Sequence, residues 1–145
     1  MKIRVIIVLG CTLALAGSAA AGTLVVANKG EATVSLVDVT TGEVAATLPV
    51  GGGPHEVAAS PDGRLAVVAN YGGEEAGSTL TVIDVPSAEV VRTFDLGRFA
   101  RPHGIVFVGD RRAVVTAEVA KALITVDVAS GEVVQVAPTG ARVSH

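Results

Sequence analysis

From residue 23 onward the chain is a succession of short apolar runs, separated by clusters of Gly, Pro, Ser, Thr and Asp. The runs have the length of strands rather than helices. Arg64–Asn70 is nearly all apolar, as in a strand covered on both faces. Thr79–Val85 alternates: Thr79, Thr81 and Ile83 point one way, Leu80, Val82 and Asp84 the other. Asp62-Gly63 and Thr41-Gly42 place glycine where a tight hairpin wants positive φ. The abundance of Val, Thr and Gly argues against a helical bundle.

Three markers recur. One is an apolar run closed by a polar residue: Leu24-Val25-Val26-Ala27-Asn28, Val67-Val68-Ala69-Asn70 and Val114-Val115-Thr116-Ala117-Glu118. The second is an apolar run closed by Asp38, Asp84 or Asp127, and the third is a histidine ahead of an apolar run, at His55, His103 and His145. The first marker recurs after 42 and 48 residues, the second after 46 and 43, the third after 48 and 42. A period of this size with four strands per unit predicts an all-β fold, the blades of a β-propeller. One unit reads as strand a at 55–60, b at 64–70, c at 79–85 and d at 89–96. The next has a at 103–108, b at 111–117, c at 123–128 and d at 132–137. The first unit has b, c and d only. The organisation is therefore a blade without strand a over 23–50, full blades over 54–97 and 102–138, and the start of another at 143–145.

This phase also predicts where a site lies. Strand a lines a propeller's channel and runs antiparallel to b, so the start of a neighbours the end of b. His55 to Asn70 and His103 to Glu118 are both 15 residues, so each histidine is expected beside that polar residue on one rim. The rim candidates are His55, Asn70, His103, Glu118, His145 and Asn28. Length varies on the same side. From the strand-b end to the Asp the gaps are 10, 14 and 9 residues, the longest holding Glu74-Glu75-Ala76-Gly77. In repeat proteins insertions gathered on one face often mark the binding face. Each group also has a plain structural reading. Histidines can hold the inner strand to its neighbour. Asp38, Asp84 and Asp127 can accept from turn amides. Glu74, Glu75, Arg98, Arg101, Arg111 and Arg112 can be solvated charge, and Tyr71 either packing or stacking.

Charge narrows the partners. With 11 basic and 14 acidic residues the net charge is −3, against what a nucleic-acid binder needs. Residues 1–21 read as a secretory signal peptide. Lys2 and Arg4 precede the apolar Val5–Ala16, too short to span a bilayer, and Ala19-Ala20-Ala21 supplies a cleavage site. An exported, periplasmic or extracellular protein with no membrane span is expected. Cleavage there leaves 9 basic against 14 acidic residues, net −5. Cys11, the single cysteine, lies in this segment, so the mature chain has neither disulfide nor thiolate chemistry. Val8-Leu9-Gly10-Cys11 faintly resembles a lipoprotein cleavage box; otherwise Cys11 is one more small hydrophobe of the signal.

The phrases PHEVAASPDGRLAVVANYGG, TLTVIDVPSAEVVRTFDLG and PHGIVF resemble the YVTN-type, YncE-like β-propeller repeats of exported proteins. The resemblance covers essentially all of the chain after the leader. It implies a ring of more blades, often about seven, in proteins mostly without an assigned activity. The sequence departs from it where Glu118 takes the place expected for Asn70, where Val108-Gly109-Asp110-Arg111 replaces the SPDG turn, and where the sequence ends early. Under three full blades is an incomplete ring, so a fragment, or self-association that supplies the missing blades, is expected.

Two functions follow. One is a non-catalytic binding scaffold presenting the rim to a small molecule, glycan or protein. The other is a metal-assisted enzyme at the channel mouth, with a divalent metal as cofactor. For the second, Pro102-His103-Gly104-Ile105 and Thr116-Ala117-Glu118 are similar to inner strands of streptogramin lyase-like propellers, which pair a His base with a metal held near Glu. Gluconolactonase-type propellers place a metal at the same depth. On this resemblance His103 and Glu118 are the metal candidates. A remnant without activity is the third outcome. Zincin, phosphate-loop, CxxC and nucleophile-elbow motifs are absent from the sequence.

Overall fold

The computed structural model describes residues 22–143. The leader assigned to 1–21, Cys11 and His145 lie outside the described residues. Among the described residues eleven strands form three antiparallel sheets. Blade 1 is β1 (Thr23–Asn28), β2 (Thr33–Asp38) and β3 (Val44–Pro49). Blade 2 is β4 (Pro54–Ala59), β5 (Leu65–Gly72), β6 (Ala76–Asp84) and β7 (Glu89–Asp95). Blade 3 is β8 (Pro102–Val108), β9 (Arg112–Ala117), β10 (Ala122–Asp127) and β11 (Val133–Pro138). Strand order within each sheet follows chain order. Three antiparallel sheets of three or four strands fit the expected partial propeller, and among the described residues the first sheet has three strands.

Two seams hold the blades together. Val34 and Leu36 of blade 1 pack on Ala66, Val68 and Ile83 of blade 2. The opposite face of blade 2, with Val67, Ala69, Leu80 and Val82, packs on Ala113, Val115, Ala117, Ile124 and Val126 of blade 3, with Phe99 and Leu96 closing it. β5 thus buries both faces, which is why its sequence is continuously apolar. Inner strand β4 lies against both β1 and β8, so the inner strands of blades 2 and 3 converge. The outward flanks are apolar as well. Val106 and Leu123 on blade 3, and Leu24 on blade 1, are exposed.

Turn chemistry closes the hairpins. In the SPDG turn, Asp62 Oδ1 accepts from Ser60 Oγ and from the Arg64 amide, with Gly63 at φ 69°. The strand-end aspartates have the turn role. Asp38 Oδ1 accepts from the amides of Thr40 and Thr41. Asp84 Oδ1 accepts from Ser87, and Asp127 Oδ1 from Ala129 and Ser130. Arg111 also donates to Asp127, and this bond with the Ser130 amide pulls the Asp127 carboxyl down from 3.8 to about 2. Asp38, Asp62, Asp84 and Asp95 are lowered too, by turn amides at Asp38 and Asp84 and by serine hydroxyls at Asp62 and Asp95.

A carboxyl whose folded pKa lies below its unfolded one stabilises fully above the unfolded value, and that contribution vanishes as pH falls through the folded one. For Asp127 the window runs from 3.8 down to about 2. The urea midpoint is therefore expected to hold on acidification to about pH 4.5 and then to fall toward pH 2. Asp127→Asn should flatten that fall. A midpoint that is level to pH 2 in the unsubstituted chain contradicts this account.

Candidate functional site

Both described histidines sit on irregularities at the start of an inner strand. Pro54 pairs with Asn70, and Glu56 with Ala69, leaving His55 as an extra residue. In blade 3 Pro102 pairs with Ala117 and Ile105 with Val115, leaving His103 and Gly104 opposite Thr116. The Gly104 amide is taken up by Thr116 Oγ1 at 2.7 Å. Such bulges re-aim side chains locally. Here they bring consecutive residues His55 and Glu56 to one side, facing His103 of the next blade.

The resulting cluster is tight. The His55 and His103 rings are 4.0 Å apart between centroids, and Tyr71 lies 5.4 Å and 5.3 Å from them, edge-on to His103. Glu56 Oε1 lies 3.4 Å from His103 Nδ1. His103 is buried, whereas His55, Glu56 and Tyr71 are half-buried. The ligating atoms of His55, Glu56 and His103 all lie within 4.8 Å of one another. Beside them Glu56 also borders a hollow of about 280 Å³ on the open flank of blade 3, lined by Gly104, Ile105, Val106, Thr116 and Leu123.

Glu118 stands one step back. Its Oε2 accepts from the Tyr71 hydroxyl at 3.0 Å and from Arg142 Nη2 at 2.7 Å. Burial pushes this carboxyl up, but the bonds from Arg142 and Tyr71 and the Arg142 charge outweigh it and hold it below the usual range. Glu118 therefore braces Tyr71, which in turn backs both imidazoles. Above Tyr71 lie two cations: the Arg101 guanidinium 4.7 Å from the ring centroid and Lys29 Nζ 5.3 Å from it.

The other candidates have different places. Asn70 is buried, and its Nδ2 donates to Thr79 Oγ1 and Thr81 Oγ1, 3.0 Å each. Asn28 does the same with Thr33 and Ser35. Both asparagines tie strand b to strand c of their own blade. The pairing register also corrects the equivalence drawn between Asn70 and Glu118. Asn28 pairs with Thr33, Asn70 with Thr79, and Ala117 with Ala122. Ala117 is therefore the counterpart of Asn70, and Glu118 that of Tyr71. A slip of one residue exchanges the two faces of a strand, which is why Glu118 reaches the rim and Asn70 does not. His103 and Glu56, rather than His103 and Glu118, are the pair whose ligating atoms meet. Glu56 and Arg142 were not among the sequence candidates, and Tyr71 was weighed only as packing or stacking. Tyr71 had a signal in the correct register, and Glu56 had only its position after His55.

Known proteins share this architecture. Hydrazine synthase of Kuenenia stuttgartiensis superposes with a TM-score of 0.69 at 24% identity, over 79% of this chain and 32% of that one. Dihydro-heme d1 dehydrogenase NirN, in complex with DHE, gives 0.68 at 25% identity, over 81% and 24%. The WD40 repeats of RRP9 give 0.67 at 15% identity, over 81% and 35%. The chain thus spans between about a quarter and a third of the length of these structures. No curated protein matches the sequence. The profile of the YncE-like β-propeller covers residues 3–109. That match over most of the sequence, together with three antiparallel blades meeting at their inner strands, makes the chain a member of the YncE-like β-propeller family.

Proposed function

We propose that the protein is an exported, non-catalytic binding scaffold that takes its ligand, a small molecule, glycan or protein segment, at the start of the inner strands. The observation that carries this reading is the convergence of His55, Glu56, Tyr71 and His103 from two blades beside a hollow. A few convergent polar and aromatic groups around an apolar recess are what ligand sites are built from. Export rests on the basic, then apolar, then small-residue order of residues 1–21. Self-association or further blades would cover the apolar flanks at Leu24, Val106 and Leu123. A lyase- or lactonase-like role for Glu118 has less support. Its Oε2 is taken up by the Tyr71 hydroxyl and the Arg142 guanidinium, and it does not join the His55, Glu56 and His103 group.

The test uses the full chain expressed in a bacterium and recovered from the periplasm. Its amino terminus is expected at Gly22; cytoplasmic chain beginning at Met1 overturns export. The recovered protein, treated with EDTA, is titrated with a panel of monosaccharides, disaccharides, dicarboxylic acids and short peptides. Side-chain NMR reads the one tyrosine and three histidines of the sequence. At least one probe should shift the Tyr71, His55 and His103 signals together. A panel that leaves all three unmoved, or moves only other residues, rejects the site.

A further inference from the structure

We propose that His55, Glu56 and His103 form a binding site for a zinc-class divalent ion, with at least one coordination position left open. The inference rests on the reading of this rim as a binding site and names what it holds first.

Three features carry it. The donor set is two imidazoles and one carboxylate, a combination that suits zinc and its neighbours in sites that keep an open position. The spacing also fits. Two ligands at about 2.0–2.1 Å from a tetrahedral ion are about 3.3 Å apart, and Glu56 Oε1 lies 3.4 Å from His103 Nδ1. All three ligating atoms fall within 4.8 Å of one another, so small side-chain rotations about fixed backbones bring them to one centre.

The third feature is support. His103 is buried at the seam, with its strand start fixed by the Gly104–Thr116 bond. Tyr71 backs both rings and is itself fixed by Glu118, which Arg142 neutralises. Rigid backing of this kind orients metal ligands. Two neutral imidazoles and one carboxylate leave a bound dication with a net charge of about +1. Lys29 and Arg101 lie over the Tyr71 ring. The open position therefore favours an anionic fourth ligand such as a carboxylate.

The test is calorimetric titration of the EDTA-stripped full chain with zinc chloride. Cobalt(II) follows as a second probe, because its visible absorption reports tetrahedral nitrogen and oxygen coordination. One ion per chain is expected, with micromolar or tighter affinity and an intense cobalt band. His55→Ala, Glu56→Gln and His103→Ala should each weaken binding by more than about 100-fold, beyond what loss of an outer partner costs. Circular dichroism checks that each variant folds. If buried His103 proves essential for folding, half-buried His55 and Glu56 decide the matter. Unchanged affinity in both His55→Ala and Glu56→Gln overturns the proposal, as does no ion bound by the unsubstituted chain. The organic-probe titration is run without metal, so the two can fail separately. Probes that shift Tyr71 where zinc does not bind leave the scaffold and remove the ion. Zinc bound with no responding probe does the reverse.

Discussion

Gly72→Ala is expected to destabilise the protein by about 3 kcal/mol or more, lowering the melting temperature by about 10 °C. Gly72 lies at φ 88°, and a Cβ there would fall 2.2 Å from the Gly77 nitrogen and 2.3 Å from the Glu75 oxygen. The left-handed conformation alone costs an L-residue about 1–2 kcal/mol. The clash adds to this, because both offended atoms are backbone and can retreat only by opening the β5–β6 hairpin. The opening would spread to the site. The amide of Gly72 donates to Gly52, and that of Tyr71 to Gly53, so the hairpin holds the segment that leads into His55. Gly53 is equally constrained, since a Cβ there would lie 2.2 Å from the Gly72 oxygen. Gly73→Ala is the control. Nothing lies within 4 Å of a Cβ at Gly73, and its stability should stay within about 0.5 kcal/mol. Thermal melts of both variants decide it, and equal melting temperatures would refute the argument.

Much of the fold was legible because a propeller writes its period in side chains that local chemistry demands. Glycine in the turn after Asp62 and aspartate at each strand c end are fixed by hairpin geometry, so they mark the unit boundaries. The site was less legible, and each failure has a physical cause. Alignment by polar strand ends set Glu118 against Asn70, but the ladder follows the match of Arg64-Leu65-Ala66-Val67-Val68 with Arg111-Arg112-Ala113-Val114-Val115, which sets Ala117 against Asn70. Strict strand alternation points Glu56 away from His55. The bulge that turns them to the same side depends on Pro54 pairing with Asn70 while Glu56 pairs with Ala69 across the strands. The insertion around Glu74 looked like a loop, yet Gly72 pairs with Ala76 and the hairpin simply grows longer. Arg142 reaches Glu118 from beyond the last strand, a long-range contact that no local pattern encodes.

Leu80→Ala should cost about 2–5 kcal/mol and should also disturb the histidine pair. Leu80 is fully buried in the seam between blades 2 and 3, among Val67, Val82, Val115 and Ile124. Removing its side chain leaves a void that the seam fills only in part by letting the two blades settle together. His55 belongs to one of those blades and His103 to the other, so any settling alters the 4.0 Å ring separation. Leu36→Ala provides the contrast. Leu36 is as well buried, but in the seam between blades 1 and 2, which has no histidine across it. Both variants should lower the urea midpoint. Below the transition, the imidazole Hε1 signals of His55 and His103 should move in Leu80→Ala and stay in place in Leu36→Ala, because ring-current shifts fall steeply with distance. Equal movement in both variants, or none in either, would mean that the seam between blades 2 and 3 does not set the geometry of the rim.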